Sequence, residues 1–192
     1  MKPNPAALTL CCAAVLAPLL AACSSQPHPD LVEITGPRAT AAYERLKRLE
    51  GEWESKSTKG WSGRIQYQVI AKGSVLAQFD NAAHPGEMML TLIHPDGDRL
   101  LLSHYCAAQN QPRLVLTAAN DALSEFTFEF LDGTNMLSRE TGHMDKVTFL
   151  FSGDDAYTER WIWRQGGKNT KMEDVVSRRI SSGTPKLPIK GQ

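Results

Sequence analysis

Beyond Gly51 the chain keeps a two-residue rhythm that only extended strands satisfy. Ile65, Tyr67 and Val69 alternate with polar neighbours in GRIQYQVIA, and Phe126, Phe128 and Phe130 do the same in SEFTFEFL. Val147, Phe149 and Phe151 repeat the pattern in HMDKVTFLF. Successive side chains of a strand point to opposite faces, so each run has one oily and one wet side. The runs are separated by KGS, HPDGD, DGTN, SGDD and GGKN, which are short and rich in turn formers. No separator is long enough for a helical crossover, so the strands connect as antiparallel hairpins. About ten strands are expected in a meander. A flat meander of that size leaves two open edges, and closure into a barrel removes them. The expected fold is therefore all-β, an antiparallel up-and-down barrel.

One convincing helix precedes the strands, in PRATAAYERLKRLEG. Pro37 suits a first helical turn, Ala42, Leu46 and Leu49 share a face, and Gly51 ends it. Residues 1–22 are set apart from the fold. Lys2 is followed by the apolar run AALTLCCAAVLAPLLAA, interrupted by Pro18 and soon followed by polar CSSQPHPD. That is the length of a signal peptide and short for a membrane span. LAAC, Leu20 to Cys23, resembles the lipobox of bacterial lipoproteins, which implies that Cys23 is lipid-modified and becomes the N-terminus. Ser24 after it resembles the outer-membrane type, so the resemblance places the protein in the bacterial envelope, on the outer membrane and facing the periplasm. An ordinary secretory signal is the alternative. Residues 23–37 then read as a flexible tether, 38–181 as the barrel domain and 182–192 as a polar tail.

Composition narrows the partners. The 192 residues carry 21 basic and 21 acidic side chains, and no basic stripe interleaves with aromatics, so nucleic acid is not expected. A hydrophobic fraction of 42% supports a real core. Of the 4 cysteines, Cys11 and Cys12 leave with the signal and Cys23 would carry lipid, so Cys106 has no partner for an internal disulfide. A lone exposed thiol is a liability in an oxidising envelope, and Cys106 is expected to be buried.

Alternation also suggests what faces inward. In RLLLSHYC, Leu100, Leu102, His104 and Cys106 share a face. In ERWIWRQ, Trp161 and Trp163 share one. Two-residue steps back from Val147 put Asp145 and His143 on the core side. Apolar walls with a few polar groups suit a small-molecule cavity. The alternative is a barrel filled by its own side chains. His104 and Cys106 lie about 7 Å apart along one strand. Imidazole and thiolate suit zinc, but two ligands without a Cys-x-x-Cys do not make a site, so no metal is expected. A Cys–His nucleophilic pair lacks an evident orienting acid, and enzymatic activity is not favoured. Contacts to a bound ligand, or plain structure, remain. AAQNQ reads as a hairpin loop in which Asn110 and Gln111 bond the turn or, with Arg113, line the mouth of a site.

A helix running directly into Gly-x-Trp in LKRLEGEW, Leu46 to Trp53, followed by up-and-down strands, resembles the calycin superfamily. It is similar to lipocalin-like, fatty-acid-binding-like and nitrobindin-like barrels. HYC…NQPR, GHM and WIW more narrowly resemble a group of bacterial lipocalin-like proteins, over about residues 40–180. The resemblance implies that the helix caps one barrel end and Trp53 plugs it. Nitrobindin-like barrels hold haem through a His near the chain end. TKMEDVVSRRI has none, so no cofactor is expected. Fatty-acid-binding barrels hold a carboxylate with a late interior Arg, for which Arg178 and Arg179 are both candidates. The expected function is binding of a small, mostly apolar ligand in the barrel, contacted by His104, Cys106, Asn110, Arg113, His143, Trp161 and Trp163. The alternative is a structural or assembly lipoprotein that acts through its outer surface.

Overall fold

The computed structural model describes residues 32–82 and 86–185. The leader, the lipobox Cys23, most of the tether and the end of the polar tail lie outside these residues. The order is α1 (Gly36–Lys47), β1 (Gly51–Ser57), β2 (Ser62–Ile70), a single 3-10 turn (Ala71–Gly73), β3 (Val75–Asp80) and β4 (Met89–Asp96). It continues with β5 (Arg99–Tyr105), β6 (Gln111–Ala119), β7 (Glu125–Thr134), β8 (His143–Phe151), β9 (Ala156–Gln165) and β10 (Lys168–Ser182). Each strand pairs antiparallel with the next, and β10 returns to β1. The result is a closed ten-stranded antiparallel barrel, consistent with a calycin-like fold.

Closure depends on a tight seam. Gly51 pairs with Ser182, and a register shift between Glu52 and Trp53 accommodates an extra residue on β10. Gly51 has φ +137°, and a Cβ there would collide with the Ser181 carbonyl. Only glycine lets β10 approach so closely. Gly51 thus starts β1 rather than stopping α1, which ends earlier at Lys47.

The helix covers one barrel end. It buries Ala39, Ala42, Tyr43 and Leu46, and Leu49 follows them into the core. Its polar side chains hold the loops of that end: Tyr43 donates to the Gly73 carbonyl at 3.0 Å, Arg45 to Gly153 at 2.9 Å and Arg38 to Asp121 at 2.9 Å. Trp53 stands beneath, with no exposed surface. Its indole N–H donates to the Leu49 carbonyl at 2.8 Å, and its ring meets Tyr157 edge-on at 4.8 Å. The Arg179 guanidinium lies 4.2 Å over the indole and donates to the carbonyls of Glu50, Arg48 and Asp154. The segment that leaves the helix, the first strand and the last strand are therefore tied through one residue.

The core is closely packed. Leu46, Trp53, Ile65, Tyr67, Leu76, Ile93, Leu102, Phe126, Phe128, Val147 and Phe149 have no surface reachable by a water-sized sphere, so no free space adjoins them. Leu101, Val115 and Leu131 form a separate apolar cluster, and the pairing of Leu101 with Val115 places it on the opposite sheet face from Leu102 and Leu114. Trp53→Ala removes the plug, its hydrogen bond and the Arg179 platform. We expect it to destabilise the fold by about 3–5 kcal/mol in urea unfolding, with Trp53→Phe losing less.

Candidate functional site

Register brings together four polar side chains that are scattered in sequence. Tyr67 of β2 is opposite Gln78 of β3, Gln78 opposite Thr91 of β4, and Thr91 opposite His104 of β5. All are buried, so they form a polar arc inside the barrel wall. The facing residues come from β9. Glu159, with no exposed surface, accepts from the Tyr67 hydroxyl at 2.7 Å, the Gln78 amide at 2.6 Å and the Trp161 indole at 3.0 Å. Tyr157 donates to the Tyr67 hydroxyl at 3.1 Å. Trp161 meets the His104 ring at 4.9 Å between centroids. These contacts run from β9 across to β2, β3 and β5.

The electrostatics follow from burial. Burial and the nearby Asp80 charge push the Glu159 carboxyl up to about 7, against the lowering effect of its three donors. Burial, with Glu159 beside them, raises Tyr67 and Tyr157 well above their usual value. Burial alone lowers His104 to about 4, so its imidazole is neutral at physiological pH. His104 Nδ1 is 2.9 Å from the Thr91 hydroxyl, while Nε2 is buried and has no hydrogen-bond partner. Ser55 and Ser177 bond each other at 2.8 Å, and Ser57 donates to Glu173. The buried polar and charged side chains include Asp80, Glu159 and Glu173 but neither Lys nor Arg, among the described residues.

The residues expected at a site separate into several places. His104 and Trp161 meet in the interior. Cys106 follows the end of β5, half-buried, and burial raises its thiol. Asn110 is buried and donates to the Gly142 carbonyl at 2.7 Å, tying two loops of the end opposite the helix, and its side-chain oxygen has no partner. Trp163 is half-buried and packs against the core beside Gly142. Arg113 lies exposed on the outer wall with Asp132. His143 is fully buried, with Nδ1 2.6 Å from the Thr141 carbonyl, Nε2 on Arg139, and its ring 4.5 Å from Phe130. It shares no hydrogen-bond partner with His104. A register shift between Met144 and Lys146 interrupts the count back from Val147, so alternation does not carry that strand's facing on to His143 and Asp145. Burial would raise Asp145, but hydrogen bonds from His143, Arg139 and Asn169 hold it at about 2. Arg178 is exposed and Arg179 sits over Trp53, so neither supplies an interior cation.

Sequence reasoning missed Glu159, Gln78, Tyr67 and Tyr157. The signal for Glu159 was present, since it is two residues before Trp161 and therefore on the same face. The cross-barrel partners, 92 and 81 residues away, carried no such signal.

Two opposed titrations give a test. Glu159, raised in the fold, binds more protons folded than unfolded between about pH 4.5 and 7, so its contribution to stability falls as pH rises through that window. His104, lowered to about 4, binds fewer protons folded, so its contribution rises between about pH 4 and 6.5. In the native chain the two largely cancel. Glu159→Gln leaves only the rise, and urea unfolding should show the variant more stable at pH 6.5 than at pH 4.5 by about 2–3 kcal/mol. A flat profile for this variant would refute the assignment.

No protein-family model matches the chain, and no curated protein sequence matches it.

Proposed function

We propose that this protein is a lipid-anchored lipocalin-like barrel, facing the periplasm, that binds a small and largely apolar molecule. The observation that carries the reading is His104 Nε2, buried beside Trp161 with nothing to bond. A buried polar atom without a partner costs about 1–3 kcal/mol, and a ligand that supplies one recovers it. A barrel that served only as a scaffold would gain more from an apolar lining than from Glu159, Gln78, Thr91 and His104.

The end of the barrel opposite the helix is the route in. Met89 and Met144 belong to the core cluster there, with Met172, Cys106, Ala107 and Trp163 packed against it. Methionine side chains are unbranched and adaptable, so this end can repack around a guest where Phe126, Phe128 and Phe149 at the other end cannot. Covering a few hundred Å² of apolar ligand surface supplies about 5–8 kcal/mol before ordering costs.

A second reading has its own observation. A shallow groove on the outer face of β1 and β10 is lined by Glu54, Lys56, Thr58, Val176 and Arg178, and Val176 and Ile180 are 45% and 49% exposed. That surface suits an envelope protein acting through its exterior, with the barrel filled. The polar interior favours the first reading.

Two measurements test the proposal. Nile Red should bind and quench tryptophan emission, and native mass spectrometry of protein from its own host should show a small-molecule adduct. If no probe binds and nothing copurifies, the outer-surface reading replaces it. For the anchor, Cys23→Ser should move the protein from the detergent-extracted membrane fraction to the soluble one, and a variant that stays with the membrane would refute lipidation at Cys23.

A further inference from the structure

The hydrogen-bond arithmetic around His104 restricts what such a ligand can be. The Thr91 hydroxyl has one proton to give, and its hydrogen bond is to His104 Nδ1. If His104 donated through Nδ1, the Thr91 proton would be left without an acceptor and Nε2 without a donor, two unmet groups instead of one. The assignment that leaves fewer is Thr91 donating to Nδ1, which puts the imidazole proton on Nε2. His104 then presents a neutral N–H into the interior, and its partner must be an acceptor.

Charge decides which kind of acceptor. Asp80, Glu159 and Glu173 are buried in the barrel, and no Lys or Arg is buried among the described residues. Arg179, the one late arginine half-buried at the helix end, is committed to Trp53 and to backbone carbonyls. Arg139, half-buried at the end opposite the helix, is already held by Asp145 and His143, so a carboxylate, sulfonate or phosphate brought beside the buried acids would lose its water without gaining a buried lysine or arginine among the described residues. Trp161, whose ring meets His104 and whose N–H is held by Glu159, provides a flat apolar wall next to the donor.

We infer that the barrel selects an uncharged ligand that presents a carbonyl-type oxygen to His104 Nε2–H and lays a flat apolar body against Trp161, and that it rejects anionic amphiphiles of the same size. This rests on the ligand-binding reading above and narrows it to a substrate class. It also sets this barrel apart from one that holds fatty acids, because no lysine or arginine is buried among the described residues.

The experiment compares two naphthalene dyes with the folded protein at pH 7.5. Prodan is a neutral ketone, and 1-anilinonaphthalene-8-sulfonate is an anion of similar body. Prodan should bind with blue-shifted emission at least tenfold more tightly than the sulfonate. His104→Phe, which keeps a ring of similar size and removes the donor, should weaken Prodan about five- to tenfold, the share of one buried hydrogen bond. Thr91→Val leaves the imidazole in place and removes the group that orders its proton, so it should weaken Prodan without weakening the sulfonate. That variant carries the test if His104→Phe fails to fold by circular dichroism. Should both dyes bind equally, or should both folded variants hold Prodan as tightly as the parent, the neutral-acceptor inference falls while the ligand-binding reading stands. Should neither dye bind, the ligand-binding reading falls with it.

Discussion

The pairing of β10 with β1 is the constraint on which everything else rests. A row of unpaired N–H and C=O groups at either edge would have to find water or another chain. Closing the row onto itself turns one face of a ten-strand meander into an inside. The closure is made possible at Gly51, where the two backbones come too close for a side chain. It is locked by Trp53, which touches Leu49 just past the helix, Tyr157 of β9 and the Arg179 side chain of β10 at once. Once an inside exists, its low dielectric does the rest. A glutamate and a histidine that would titrate ordinarily in water become an acid held protonated near neutrality and a base held neutral.

The interior has two characters along its axis. Near the helix it is a packed aromatic plug of Trp53, Phe126, Phe149 and Tyr157. From Tyr67, which packs against Tyr157, polar groups in adjacent register positions run through Gln78 and Thr91 to His104, and methionines stand at the end opposite the helix. Stability and adaptability are thereby assigned to different ends. The aromatic end keeps the barrel shut. The other end holds polar groups that are expensive to bury, and one of them, His104 Nε2, has no partner. The desolvation cost alone sets such a group apart from ordinary core packing.

Much of the architecture was legible in the alternation. Leu100, Leu102 and His104 were read onto the inner face and are buried there, with Leu101 on the other. The pattern of Trp161, Val147 and Phe149 was equally clear. Alternation fails where a strand gains a residue, as between Met144 and Lys146, because a bulge is set by the neighbouring strand and leaves no local mark. It also says nothing of which inward residues meet across the lumen. Glu159 lay on the face of Trp161 from the start, but its importance comes from Tyr67 and Gln78, which only closure brings near.

The order of residues by itself determined the secondary structure, the antiparallel connections and the preference for a closed barrel, because period, turn length and edge exposure are local or nearly local properties. The tertiary structure decided that side chains of β9 meet those of β2, β3 and β5 across the lumen, that a buried carboxyl and a neutral imidazole share its wall, and that Arg179 stabilises Trp53 instead of awaiting a ligand. Those outcomes depend on strand register and on contacts across the barrel, and both are fixed only when the last strand meets the first.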